Sequence, residues 1–264
     1  MKIHQIYCFA ALVAGLFVAT SFATPLSAKR LVGESYNAAV RRVFARRDWG
    51  KGSAAAIAGP VSEAEWSLAP TLSSDANLVF RTMRDLRFLV DGDDPYFPRR
   101  VSWMYPRDGC YARAAGVLAL ADRMHVERPA QLFAFGELSV ETPNVAEGSV
   151  QWWYHVTPIY RDRSNGLVYA FDPSIEPSRP LPVDEWLKRM VPSLSFVRVV
   201  VCAPNTVEPN VDCLSGGSNV PEKFLALLRD QFLPQEWNNL ASMGRDPYRE
   251  LGDEPPWLSG DIRK

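Results

Sequence analysis

Histidine and cysteine are scarce in this chain, with three and four residues among 264. Net charge is lacking as well: 29 basic side chains against 30 acidic ones leave a formal charge of -1. That balance excludes a nucleic-acid coat or a polybasic membrane anchor, because both need a local excess of Lys and Arg. No CxxC pair, HExxH or carboxylate cluster at ligand spacing occurs, so neither a catalytic metal nor a cofactor is expected. A Gly-rich phosphate loop is absent too, since Asp108-Gly109-Cys110 lacks the glycine spacing. No internal repeat is found. Apart from one short run near the N-terminus, no stretch approaches the roughly 20 apolar residues needed to span a bilayer. What is present is 47% apolar and 11% aromatic residues, enough for the core of one ordinary domain with extensions.

The N-terminus reads as a secretory signal. Lys2 supplies positive charge, residues 9–18 are apolar, and Ser21-Phe22-Ala23 puts small residues where a signal peptidase reads. Cleavage after Ala23 is expected; the alternative after Ala28 has the bulky Leu26 at the outer recognition position. Cys8 leaves with the signal. The mature protein is therefore expected to be secreted or periplasmic, without stable membrane association, and monomeric.

Export changes how the other cysteines read. In an oxidising compartment Cys202 and Cys213 can pair across the irregular loop between them. Cys110 is then left over, either as a buried apolar side chain or as a reactive nucleophile. It follows Pro106 and Asp108, a good N-cap. From there Ala114, Val117, Leu118 and Ala121 recur at helical spacing. Cys110 is thus placed in a first helical turn, where unpaired amides and the positive end of the dipole favour a thiolate nucleophile. Asp108 opposes a second negative charge, unless its carboxylate is occupied capping the helix.

A thiolate usually needs an imidazole, and two histidines remain. His125 lies about 15 residues along the same helix, over 20 Å from the thiol at about 1.5 Å per residue. It reads as a surface or helix C-terminal residue. His155 lies in VQWWYHVTPIY, a strand expected to be buried on both faces, where a polar ring must have partners. The next strand, LVYAF, ends at Asp172-Pro173-Ser174, which offers a carboxylate to orient the imidazole. Taken alone, Asp172 is more often a turn residue before proline.

The order Cys, His, Asp carries a resemblance. Tyr105-Pro106-Arg107-Asp108-Gly109-Cys110-Tyr111-Ala112-Arg113-Ala114, then Trp152-Trp153-Tyr154-His155-Val156, then Asp172-Pro173-Ser174 are similar to three motifs of the bacterial protein-glutaminase family. The similarity covers roughly residues 72–191. It implies a secreted enzyme that deamidates glutamine side chains in proteins, with Cys110 as nucleophile, His155 as general base and acid, and Asp172 as orienter. It also implies a transglutaminase-like and papain-like fold. Ala115 stands where that family tends to carry histidine, and cysteines are few, which implies less cross-linking. The same triad also serves a cysteine peptidase or a transglutaminase, because only the pocket decides the acceptor. A non-catalytic secreted binding module, with an inert Cys110, is the third reading. Trp103, Tyr105, Trp152 and Trp153 are candidates to line a substrate groove, although aromatics here are more often core.

The architecture expected is α+β, a nucleophile-bearing helix packed on an antiparallel sheet. Residues 1–23 are assigned to the signal peptide and 24–70 to an N-terminal extension that reads as a possible pro-segment. Residues 71–240 form the protein-glutaminase-like catalytic domain, and 241–264 a loosely ordered tail. Helices are expected over 74–90, 184–190 and 220–233, the last stopping before Pro234. Residues 195–202 read as a strand. Two hairpin registers are open. A tight Asn165-Gly166 turn sets Asp172 opposite Ile159, about 13 Å from the His155 position at roughly 3.3 Å per residue. A wide loop over 161–166 sets it opposite His155, and this second register is the one expected.

Overall fold

A computed structural model describes residues 30–45, 55–56, 68–86, 101–191, 197–209, 213, 219–220 and 222–258. The expected signal peptide and the linker at 91–100 lie outside these. Among the described residues the chain is a mixed α and β fold. Six strands form one antiparallel sheet: β1 (Ala55–Ala56), β2 (Ala130–Glu141), β3 (Ser149–Arg161), β4 (Val168–Ala170), β5 (Leu181–Pro182) and β6 (Arg198–Cys202), in the order β1-β6-β2-β3-β4-β5. No helix among the described residues is long and apolar enough to cross a membrane.

Some helices begin where a side chain satisfies a free amide. Helix α1 (Tyr36–Phe44) opens with Ser35 Oγ accepting the Ala38 N–H, and buries Ala39, Val40 and Val43. Helix α2 (Ala76–Asp85) opens with Asp75 accepting from Leu78 N at 2.7 Å and buries Val79, Phe80 and Met83. It stops at Leu86, whose backbone is extended; residues 87–90 of the expected helix lie outside the described residues. Helix α3 (Cys110–Met124) packs on β3, and His125 closes it in a left-handed conformation at its exposed end. Helix α4 (Val183–Met190) lays Trp186, Leu187 and Met190 against β2 and β4. Each fully buried residue of this size, such as Leu118 or Phe133, contributes about 1.5–3 kcal/mol through removal from water.

The C-terminal helix does not stop before Pro234. Helix α5 (Glu222–Leu227) runs through a π turn (Leu228–Phe232) into α6 (Leu233–Ser242), with Pro234 in the first turn of the last segment. Pro234 lacks the N–H that a regular helix would use there. The wider turn rephases the backbone around it and aims Phe232 at the start of α3. Of the expected tail, residues up to 258 are described. They carry helix α7 (Pro247–Glu250) and bury Leu251 in a cluster with Met104 and Leu240.

Neither hairpin register occurs. Tyr160 pairs with Tyr169 and Arg161 with Val168, halfway between the tight and the wide alternatives. Asp162 accepts the Gly166 amide and donates its own N–H to Leu167, which closes a four-residue loop. In this register Asp172 would stand opposite Thr157, two residues from His155. The ladder, however, ends at Ala170. Phe171 N still donates to Pro158 O, after which the chain turns, with the Asp172 carbonyl accepting from Ile175 and Glu176. The turn swings the Asp172 side chain back to the imidazole.

Candidate active site

Gly109 caps the N-terminus of α3 with φ +80°, a conformation that a side chain would strain. A Cβ there would also come within 3.0 Å of the Phe232 ring. Asp108 does not cap as expected: its carboxylate takes the Gly109 amide at 2.7 Å, one residue early. The loop is tied from the helix side by Arg113, whose guanidinium donates to the carbonyls of Tyr105 at 2.9 Å and Asp108 at 2.7 Å. These contacts hold Cys110 at the first position of α3. Its thiol is free and 7% exposed.

His155 lies in the middle of β3, opposite Ala134 of β2, and its side chain is fully buried. Nε2–H donates to Asp172 Oδ2 at 2.7 Å. The same oxygen accepts the Trp186 indole N–H at 3.0 Å, while Oδ1 accepts Ser174 N at 3.2 Å and Ser174 Oγ. Four donors therefore converge on one buried carboxylate. Burial would push Asp172 up, but the His155 charge and hydrogen bond, the Arg113 charge and the Ser174 hydroxyl outweigh it and hold the carboxyl down at about 2. Burial likewise disfavours the His155 cation, and is outweighed by the Asp172 charge, the Asp172 hydrogen bond and Cys110, so the imidazole is raised to about 9.

The other ring nitrogen, Nδ1, is buried without a hydrogen-bond partner, and Cys110 is close enough to the imidazole to help raise it. Chemically, the arrangement brings a thiol, an imidazole and a fixed carboxylate into one buried group. Tyr154 lies close enough to Cys110 for their charges to interact, and burial first, with Cys110 and Tyr111 adding, pushes its phenol well up. It remains a neutral O–H. Among the described residues no cluster of three metal-ligating side chains occurs.

The four aromatic residues considered for a groove sit mostly inside. Trp103, Trp152 and Trp153 are buried, and Tyr105 is half-buried against the Phe232 ring at 6.3 Å between centroids. Trp153 packs on Phe135 and Tyr154. Three supporting residues carry no assigned role in the sequence reading. Ser174 had a local signal, two positions after Asp172 in a turn sequence. Arg113 lies one turn after Cys110, within a quoted motif. Trp186 had none, because it reaches Asp172 from a different helix.

No curated protein matches this chain. Among solved structures, the solution structure of protein-glutaminase from Chryseobacterium proteolyticum is 22% identical over 60% of this chain and 85% of its own, with a TM-score of 0.43. A mutant of pro-protein-glutaminase is 24% identical over 54% of this chain and 50% of its own, with a TM-score of 0.41. Pro-protein-glutaminase itself is 20% identical over 66% of this chain and 59% of its own, at 0.40. The chain thus spans half to three-fifths of those two precursors. A family model described as glutaminase matches residues 76–190, the stretch that contains Cys110, His155 and Asp172. The stretch that this glutaminase model matches is the one in which the three motifs carried the resemblance.

Proposed function

We propose that this protein is a secreted protein-glutamine glutaminase of transglutaminase-like and papain-like architecture, acting through a cysteine thioester. The observation that carries the reading is the buried His155 ring, held by Asp172 through one nitrogen and interacting with Cys110 at a helix start. The Cys110 thiolate attacks the carboxamide carbon of a glutamine side chain, and amides at the start of α3 hold the oxyanion. His155 gives its proton to the nitrogen, the C–N bond breaks and ammonia leaves. A water molecule then loses a proton to His155 and attacks the thioester, the C–S bond breaks, and glutamate is released with the thiolate restored. The purified protein should release ammonia from a glutamine-rich protein while the chain stays intact and no amine is incorporated. Peptide cleavage or cross-linking instead would move the assignment to a peptidase or a transglutaminase.

Residues 24–70 are proposed as a removable inhibitory segment, with cleavage of the signal after Ala23 preceding its removal. Two features support this. Helix α1 packs on β2 and β3 in the same apolar cluster as Cys110, and residues Cys110 and His155 are 7% and 0% exposed, so a protein-borne glutamine would need the site to open. Protein starting near Leu72 should turn over faster than protein starting at Thr24. Equal or lower rates at unchanged thermal stability would make α1 a permanent part of the fold.

A further inference from the structure

Residues three apart on a regular strand point to opposite faces. Trp152 and His155 do not. Between the pairs Phe135–Tyr154 and Leu138–Trp152 the β2–β3 register slips, with Gly136 and Glu137 opposite Trp153 alone. This bulge turns Trp152 onto the side of the imidazole, where the rings stack with centroids 4.5 Å apart and planes at 18°. The Trp152 indole N–H donates to the Pro106 carbonyl at 3.0 Å. Pro106 lies four residues ahead of Cys110, in the loop that Arg113 holds from the other side. One side chain therefore touches the base with its ring face and the nucleophile's loop with its N–H. Trp186 makes the parallel connection: it stacks on His155 at 5.7 Å and 29°, and its N–H goes to Asp172.

We propose that Trp152 is a positioning residue that sets the imidazole of His155 against Cys110, with Trp186 setting the same ring against Asp172. Trp152 is then not part of the substrate groove, since its N–H is committed to Pro106 and its face to His155. The proposal rests on the triad reading given above, but its main test needs no substrate.

The informative substitution is Trp152→Phe, which keeps a flat ring and removes the N–H. Alkylation of Cys110 by iodoacetamide at neutral pH should slow about ten-fold, because a thiol–imidazole pair misplaced by a fraction of an ångström loses much of its reactivity. In steady-state deamidation kcat should fall about ten-fold with KM within about two-fold, the pattern of a lost transition-state interaction. A rise in KM with kcat and the alkylation rate unchanged would make Trp152 a substrate-binding residue. Unchanged alkylation and kinetics would make it passive core, and either result overturns the proposal. If Trp152→Phe does not fold, 3-benzothienylalanine at position 152 removes the N–H while keeping the two-ring shape. Wild-type protein that is alkylated at Cys110 but releases no ammonia would count against the glutaminase reading alone and leave this test intact.

Discussion

Cys110→Ser should abolish ammonia release, by about 10⁴-fold or more, with the far-ultraviolet spectrum and melting temperature unchanged. Removing the nucleophile of a triad costs about as much as removing the whole triad, because its members act as one unit. The substitution exchanges one small buried atom for another, so packing around α3 is preserved. The contrast is with the other two cysteines. Cys202 and Cys213 are joined by a disulfide, and replacing both with serine should destabilise the fold by about 2–5 kcal/mol while leaving kcat in place below the lowered melting point. Turnover retained in Cys110→Ser would remove the basis of the mechanism. Kinetics on both variants, alongside calorimetry, separates a chemical role from a structural one.

Asp172→Asn should lower kcat by about 10³ to 10⁴-fold, as loss of an orienting carboxylate does in comparable triads. The hydrogen bonds explain why asparagine cannot stand in. With its NH2 at the position of Oδ2, it would face two N–H donors, from His155 and Trp186; with its NH2 at Oδ1, it would face the Ser174 amide. Either orientation leaves donor against donor in a buried site. The pH profile should change too. His155, raised to about 9 chiefly by the Asp172 charge against the opposing effect of burial, stays protonated over the neutral range. Wild-type kcat/KM should therefore fall as pH rises through about 9, and in Asp172→Asn that alkaline limb should move to lower pH. The same linkage acts on stability. The His155 cation contributes fully below its ordinary value of 6.5, and the contribution is lost as pH rises through about 9. Asp172, held at about 2 from an ordinary 3.8, contributes above 3.8 and loses that contribution as pH falls through about 2. An alkaline limb that stays in place in Asp172→Asn would mean that the carboxylate does not set the imidazole.

What the sequence by itself determined is local. Helical spacing after Cys110, a glycine just before it, a β-branched and aromatic run around His155 and a proline after Asp172 each report on a few adjacent residues. The helix start, the strand and the turn could therefore be read in order along the chain. The tertiary structure decided what depends on distant partners. The β3–β4 register fell between two registers that preserve the same alternation, so hydrophobic pattern could not choose among them. Asp172 reached His155 because its strand ends after Ala170 and the chain turns, which is a property of the whole hairpin and its neighbours. The π turn at Leu228–Phe232 let a helix pass Pro234 and brought Phe232 over Gly109, more than a hundred residues away in the chain. Trp186 and Trp152 took their places at the imidazole through a helix packed on the sheet and a bulge in its centre. Neither leaves a periodic trace. A donor supplied from a separate helix, or a side chain turned over by a register slip, is fixed by the closing of the core rather than by the residues beside it.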